Sequence, residues 1–216
     1  MTLIKTVAIT ALLAAVSACA SIDTVTRNAV SVGPDLSAQT EQQVMRDYQL
    51  HSIRFAVPSD LTVSEANSYY PIADIVWRGD PLGNRAEQIS DIFQTSIRSA
   101  AEGLTGQRPV TVDVSLVRFH SLTERTRYSV GGVHSIKFDL TIRDAVTGEV
   151  IEPMRRINGD LAALGGYAAL AADNEGQTQK VRITAHLTNL FFHNLTGLTG
   201  QGEPQDGFEV VARADN

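Results

Sequence analysis

The chain has 216 residues, 43% of them hydrophobic and 6% aromatic, which is enough for one packed core with loose ends and argues against wholesale disorder. Its 24 acidic side chains outnumber 18 basic ones for a net charge of −6, and no basic stripe runs along it, so nucleic acid is excluded as a partner.

The first residues set the address. Met1 to Thr6 carries Lys5, Val7 to Val16 (VAITALLAAV) is apolar apart from Thr10, and small residues follow, so residues 1–18 read as an export signal. The run is too short for a spanning helix, which needs roughly 20 apolar residues. Val16-Ser17-Ala18-Cys19 resembles the lipobox of bacterial lipoproteins. That resemblance implies cleavage before Cys19, acylation of its thiol and attachment to a membrane through the lipid. Cys19 is the one cysteine of the chain and so has no internal disulfide partner, which fits this use. Two or more acyl chains, each contributing about 0.8 kcal/mol per buried methylene, anchor a protein without any help from the fold. Ala20 follows the cysteine where Asp would imply retention in the inner membrane, and the expectation is the periplasmic face of the outer membrane. The alternative takes Ala18-Cys19-Ala20 as an ordinary A-x-A site, cleaved after Ala20 to release a soluble periplasmic protein.

Residues 19–47 read as a tether and lead-in, punctuated by Gly33 and Pro34. A globular domain is expected over 48–198. Ile53, Phe55 and Val57 alternate up to Pro58 as a strand with one buried face, and Ile72 to Trp77 reads as a short buried strand. Asn84 and Glu87 make a start resembling a capping box for a helix in which Ala86, Ile89, Phe93, Ile97, Ala100 and Leu104 recur at helical spacing. Val110, Val112 and Val114 alternate next, then Ile136, Phe138, Leu140 and Ile142, with a turn at Asp144 to Gly148 before Val150 and Ile151. The spacing predicts a last helix from about Gln177 to Leu195 with Val181, Ala185, Thr188, Phe192 and Leu195 on its apolar side and Gly197 as its stop. Residues 199–216 read as a loose tail in which Phe208, Val210 and Val211 are able to dock. The fold class expected is α+β: a two-layer sandwich, mainly antiparallel sheet, with two principal helices on one face.

This order of elements behind a lipobox resembles uncharacterised proteobacterial envelope lipoproteins whose globular part is similar to the small α/β domain at the N-terminus of TolB. The stretch VSEANSYYPIADIVWRGDPLGNR, Val63 to Arg85, with the helix after it, resembles more closely a family of alphaproteobacterial lipoproteins known only as a domain of unknown function. The resemblance implies a non-enzymatic envelope role and no particular chemistry.

Trp77-Arg78-Gly79-Asp80-Pro81, leading to Arg85, is the most distinctive stretch, since it falls where a strand ends and a helix begins. As a ligand or partner turn it would offer Trp77, Arg78, Asp80 and Arg85, with the arginines and helix-start amides receiving an anion. As a scaffold, the preferred reading, Gly79 takes a positive φ, Asp80 neutralises an arginine and Trp77 closes the core edge. The five histidines show no metal spacing, His120 and His134 are expected opposite each other across a hairpin tipped by Ser121 to Gly132, and His186 and His193 share a helix face. No nucleophile motif or phosphate loop is present. Leu161 to Ala172 (LAALGGYAALAA) reads as a buried loop or short helix under the sheet, with an exposed flap as the alternative. The expectation is therefore a module that binds an unknown periplasmic protein, without catalytic residues, metal or cofactor; the other class is a hydrolase using Asp80, Glu87 and His120. On the lipobox reading, Cys19→Ala abolishes acyl labelling and moves the protein out of the detergent-extracted membrane fraction. Persistent labelling of that variant would sink the anchor.

Overall fold

A computed structural model describes residues 46–198. The signal segment, Cys19, the tether and the tail lie outside the described residues.

Two long strands, β3 (Arg108–His120) and β4 (Gly132–Asp144), form the centre of the sheet because each places apolar side chains at alternate positions on one face. Val110, Val112, Val114 and Leu116 of β3 and Ile136, Phe138, Leu140 and Ile142 of β4 are all buried there. A register shift between Leu116 and Arg118 lets Phe119 rejoin the core face three residues after Leu116. Flanking these are β1 (Tyr48–Ala56), parallel to β3, and β5 (Val150–Asn158), antiparallel to β4. Two short strands complete the sheet: β2 (Ile75–Val76) beside the end of β3, and β6 (Leu161–Ala163) beside the start of β4. The turn from β4 to β5 closes with the Gly148 amide donating to the Asp144 carbonyl, 2.9 Å, and Gly148 takes φ 76° there.

Helix α1 (Arg85–Ala101) crosses from the first edge into β3, and α4 (Gln179–Thr196) closes the domain on the same face. Asn84 caps α1 by accepting from the amides of Ala86 and Glu87, and Thr178 caps α4 through the Val181 amide. The helices meet the sheet at Phe93, Phe138 and Phe191, whose rings lie 5.2 to 6.1 Å apart, a range in which edge-on and tilted aromatic pairs attract. The opposite face of the sheet is polar: Asp113 is paired with both Arg54 and Arg143 at 2.7 Å, and Asp139 with Arg156. The fold is thus an α+β two-layer sandwich which, among the described residues, has an open sheet, four helices and a mainly antiparallel pairing order.

Four local expectations are corrected. In α4 the buried side is Ile183, Leu187, Phe191 and Leu195, not the Val181, Ala185, Thr188, Phe192 stripe, because the bulkier aliphatic and aromatic stripe takes the sheet. The strand expected at Ile72 to Trp77 shrinks to Ile75–Val76: Ile72 is 98% exposed, and Asp74 is occupied by the Thr62 amide and hydroxyl. Leu161 to Ala172, expected as a buried loop or short helix, opens with β6 and continues into α3 (Gly166–Asn174), a largely exposed helix whose one fully buried residue is Ala169. His120 pairs with Ser135, so His134 points to the other face, and the connection between them holds a helical turn, α2 (Glu124–Arg127).

Candidate functional site

The turn after β2 is built around the Trp77 ring. Trp77 is fully buried inside the core, not at its edge, edge-on to Phe119 at 5.5 Å, and its indole N–H donates to Asp80 at 2.8 Å. Lys180 of α4 donates to the other oxygen of the same carboxylate at 2.7 Å. Partial burial works against ionisation of Asp80, but these two donors outweigh it and hold the carboxyl below its ordinary range. Asp80 therefore pairs directly with a lysine, while the expected arginine, Arg85, acts on it through its charge. Gly79 does not have a positive φ. What requires glycine is the indole, since a Cβ at that position would stand 2.3 Å from the ring.

Both arginines of the turn are occupied by protein groups. Arg85 is buried and donates to Glu65 through Nε (2.7 Å) and Nη2 (2.8 Å), and through Nη1 to the carbonyls of Asp80 and Pro81 and to Gln88. That hydrogen bonding lowers the Glu65 pKa and raises that of Arg85. Arg78 spans Glu65 and Glu124, tying the long loop before β2 to α2. The arrangement fastens a loop that has little apolar surface of its own.

The remaining candidates separate. Phe119 faces the helices, so its neighbour His120 faces away, where it stacks on Tyr70 at 4.6 Å and meets the Pro71 carbonyl at 2.9 Å. Asp80 lies on the helix side with Lys180, and Glu87 is exposed on the first turn of α1. Asp80, Glu87 and His120 thus engage different surroundings. Among the described residues no three His, Cys, Asp or Glu side chains are grouped to hold a metal.

Where the sheet ends, the structure assembles groups that no spacing in the sequence links. An open pocket of about 550 Å³ is lined by Tyr69, Tyr70, His120, Leu122, Val130 and Val133 among others. Tyr69, Tyr70, Val130 and Val133 are exposed. The adjacent Tyr69-Tyr70 pair was the one sequence hint, because two tyrosines in a polar loop have no core to join. On the helix side, behind this pocket, His134 is fully buried. Its Nδ1 lies 3.2 Å from Ser121 Oγ, which donates to Gln179 Oε1 at 3.1 Å; with that proton committed, the imidazole Nδ1–H is the donor to Ser121. Burial, with the charges of Arg182, Arg127 and His186, pushes the His134 pKa down to about 3. It is therefore a weak base, and Ser121 is not set up as a nucleophile.

A model for a family of unknown function, DUF6778, matches residues 48–211. The chain belongs to that family. No curated protein matches it. Among solved structures, a Xanthomonas campestris protein assigned to DUF330 is 11% identical with a TM-score of 0.43, over 71% of this chain and 86% of that one. An uncharacterised protein is 14% identical with a TM-score of 0.37, over 71% and 94%. A Caulobacter crescentus protein described as a candidate lipoprotein is 16% identical with a TM-score of 0.27, over 57% and 88%.

Two outcomes follow from this geometry. Gly79→Val forces a branched side chain into the buried indole and lowers stability by about 2 kcal/mol or more, read from denaturant midpoints at unchanged slope. A wild-type midpoint in that variant would show that the Trp77 ring is not held as described. His134 supplies a pH dependence. Its folded pKa lies below the unfolded value near 6.5, so between these values the unfolded chain binds the extra proton and stability rises with pH. Falling from pH 7 to 5 should remove about 2 kcal/mol at this residue. His134→Asn, whose amide can replace the Nδ1 hydrogen bond, should flatten that part of the profile; an unchanged profile would contradict a buried neutral imidazole.

Proposed function

We propose that this protein is a lipid-anchored envelope module, tethered through Cys19 at the periplasmic face of the outer membrane, whose domain binds a periplasmic protein without catalysing a reaction. The observation that carries the binding role is the sheet-end pocket. Exposed Tyr69, Tyr70, Val130 and Val133 surround it, and exposed aromatic and aliphatic side chains grouped in a concavity mark an interaction site. The backbone there favours a polypeptide partner. Pairing of β3 with β4 stops at His120 and Ser135, while Gly132–His134 is paired with β6 on its other side only, so the β3-side edge of this segment has no strand beside it. An extended segment laid against that edge would add main-chain hydrogen bonds to the side-chain contacts. The lipobox supports the location, and the polar sheet face, with its arginines and aspartates already paired, supports this end of the sheet as the contact. The hydrolase alternative has less behind it, because Asp80, Glu87 and His120 engage separate surroundings.

The test is crosslinking and affinity capture from envelopes with the wild-type protein and with Val133→Glu and Tyr70→Ser. Val133 is exposed, so that variant should keep the wild-type thermal midpoint, and Tyr70→Ser, which gives up the stack on His120 and the Arg118 hydrogen bond, should stay folded with a modestly lower one; both should lose the captured periplasmic protein. Capture of the same protein by both folded variants would remove the pocket from the interface.

A further inference from the structure

On the polar face of the sheet Arg54 and Arg143 are matched to Asp113, and Arg156 to Asp139. One rung breaks this balance. Arg118 of β3 lies directly opposite Lys137 of β4, and because Ile136 and Phe138 on either side of Lys137 are buried under the helices, both cations belong to the open face. The register shift sets this up: Val117 is the residue the ladder skips, and without that shift Arg118 would oppose Ile136 and point into the core. Side chains directly opposite in an antiparallel pair stand about 5 Å apart at Cβ, and like charges there repel.

Neither cation of this rung is in an ion pair among the described residues. Asp139, two residues along β4 on the same face, receives Arg156 on both oxygens, at 2.5 and 3.2 Å. Asp74 feels the charge of Arg118, but its carboxyl is held low first by Thr62, whose hydroxyl and amide share its Oδ2. Arg118 donates instead to the Tyr70 hydroxyl at 2.9 Å, and the Tyr70 ring stacks on His120, which is paired with Ser135. Tyr70, His120 and Ser135 all line the sheet-end pocket, so the cationic rung is joined to the pocket wall by a hydrogen bond. A third cation, Arg125, is exposed with its guanidinium 5.4 Å from the centre of the neighbouring Tyr69 ring. The carboxylate among the lining residues, Asp160, has one oxygen on the Ile136 amide at 2.8 Å.

We propose that the polypeptide segment received by this pocket is acidic: it seats an apolar side chain between Tyr70 and Val133 and places a nearby Asp or Glu carboxylate on Arg118 and Lys137. The inference rests on the pocket being a peptide site and names the chemistry of its partner. Alternation along β4 puts Val133, Ser135 and Lys137 on one face, so a residue paired with the free edge at Val133 turns its side chain to that face as well. Beyond it β3 already occupies the place beside β4, and the segment must rise over the open face. From there a carboxylate about two or three residues from the apolar anchor reaches the Lys137 rung, about 13 Å along β4 from Val133. The guanidinium fork and the ammonium then share one anion, which relieves their repulsion.

The experiment selects short random peptides, displayed on phage, against purified full-length protein at low salt, and titrates synthetic copies of the enriched sequences by fluorescence anisotropy. Enriched peptides should combine an apolar residue with Asp or Glu at a fixed spacing. Replacing that acid by its amide should weaken binding about fivefold, and added salt should weaken the acidic peptide more than the amide. Lys137→Gln removes one of two repelling cations, so its ligand-free Tm should equal or exceed that of the wild type. It should bind the acidic peptide about fivefold more weakly and the amide peptide as the wild type does. A merely structural lysine would lower Tm and leave the affinity unaltered. Lys137→Glu should weaken the acidic peptide about tenfold and bind better a peptide with Lys in place of the acid; if that variant does not fold, Lys137→Gln decides. Enriched peptides that are neutral or basic, and that no longer bind Val133→Glu, would keep the pocket as a peptide site and overturn the acidic partner. Wild-type affinity for the acidic peptide in a folded Lys137 variant would also overturn it, and no enrichment at all would overturn the pocket reading together with this inference.

Discussion

The three-ring contact of Phe93, Phe138 and Phe191 joins α1, the central strand β4 and α4 at one point, and the order of the rest follows from it. Once those rings are together, β3 and β4 must turn their valines, leucines and isoleucines the same way, α1 and α4 must lie side by side, and the other sheet face is left to water. That face carries arginine–aspartate pairs because, among the described residues, no third layer covers it to bury an apolar one. Truncating any of the rings would open a cavity shared by three elements, where the surroundings have little freedom to collapse.

Away from the rings the domain is fastened by charge. The loop between β1 and β2 is joined to α1 and α2 through Glu65, which accepts from Arg85 and Arg78, and Asp80 links the following turn to α4 through Lys180. Tyr48 shows the same dependence at the far end: its hydroxyl donates to Glu152 at 2.7 Å, and burial, with that carboxylate, pushes its pKa up to about 12. Such partly buried pairs add directional contacts where apolar contact is sparse, but each gains little unless both partners are present.

The elements whose apolar pattern has one solution were legible in the sequence. β4 alternates from Ile136 to Ile142 and β3 from Val110 to Leu116, and α1 has one Ile/Phe stripe with an Asn cap, so type and buried face both follow from the residues. α4 is apolar on more than one stripe, and periodicity alone does not say which stripe meets the sheet. Gly79 was read as a conformational glycine because sequence shows a turn but not the indole lying over it. The histidines were misplaced by one residue, and a one-residue slip in a strand exchanges faces. Nothing in the spacing of Ser121, His134 and Gln179 brings them together: they meet in one hydrogen-bonded chain only after the sheet has formed and α4 has packed on it.

The contrast among the arginines is the physical core of the functional reading. Arg54, Arg143 and Arg156 lie on an exposed face where water would suffice, and still they are paired; Arg78 and Arg85 are covered by carboxylates and carbonyls. Arg182 is half-buried, and its one hydrogen bond among the described residues is a long one to the Ala162 carbonyl, whereas the more deeply buried Arg85 and Arg127 are both held by carboxylates. The buried arginines thus act as fasteners: Arg85 joins the loop between β1 and β2 to the turn before α1, and Arg127 joins α2 to α3, each through a carboxylate whose loss would leave a buried charge unpaired.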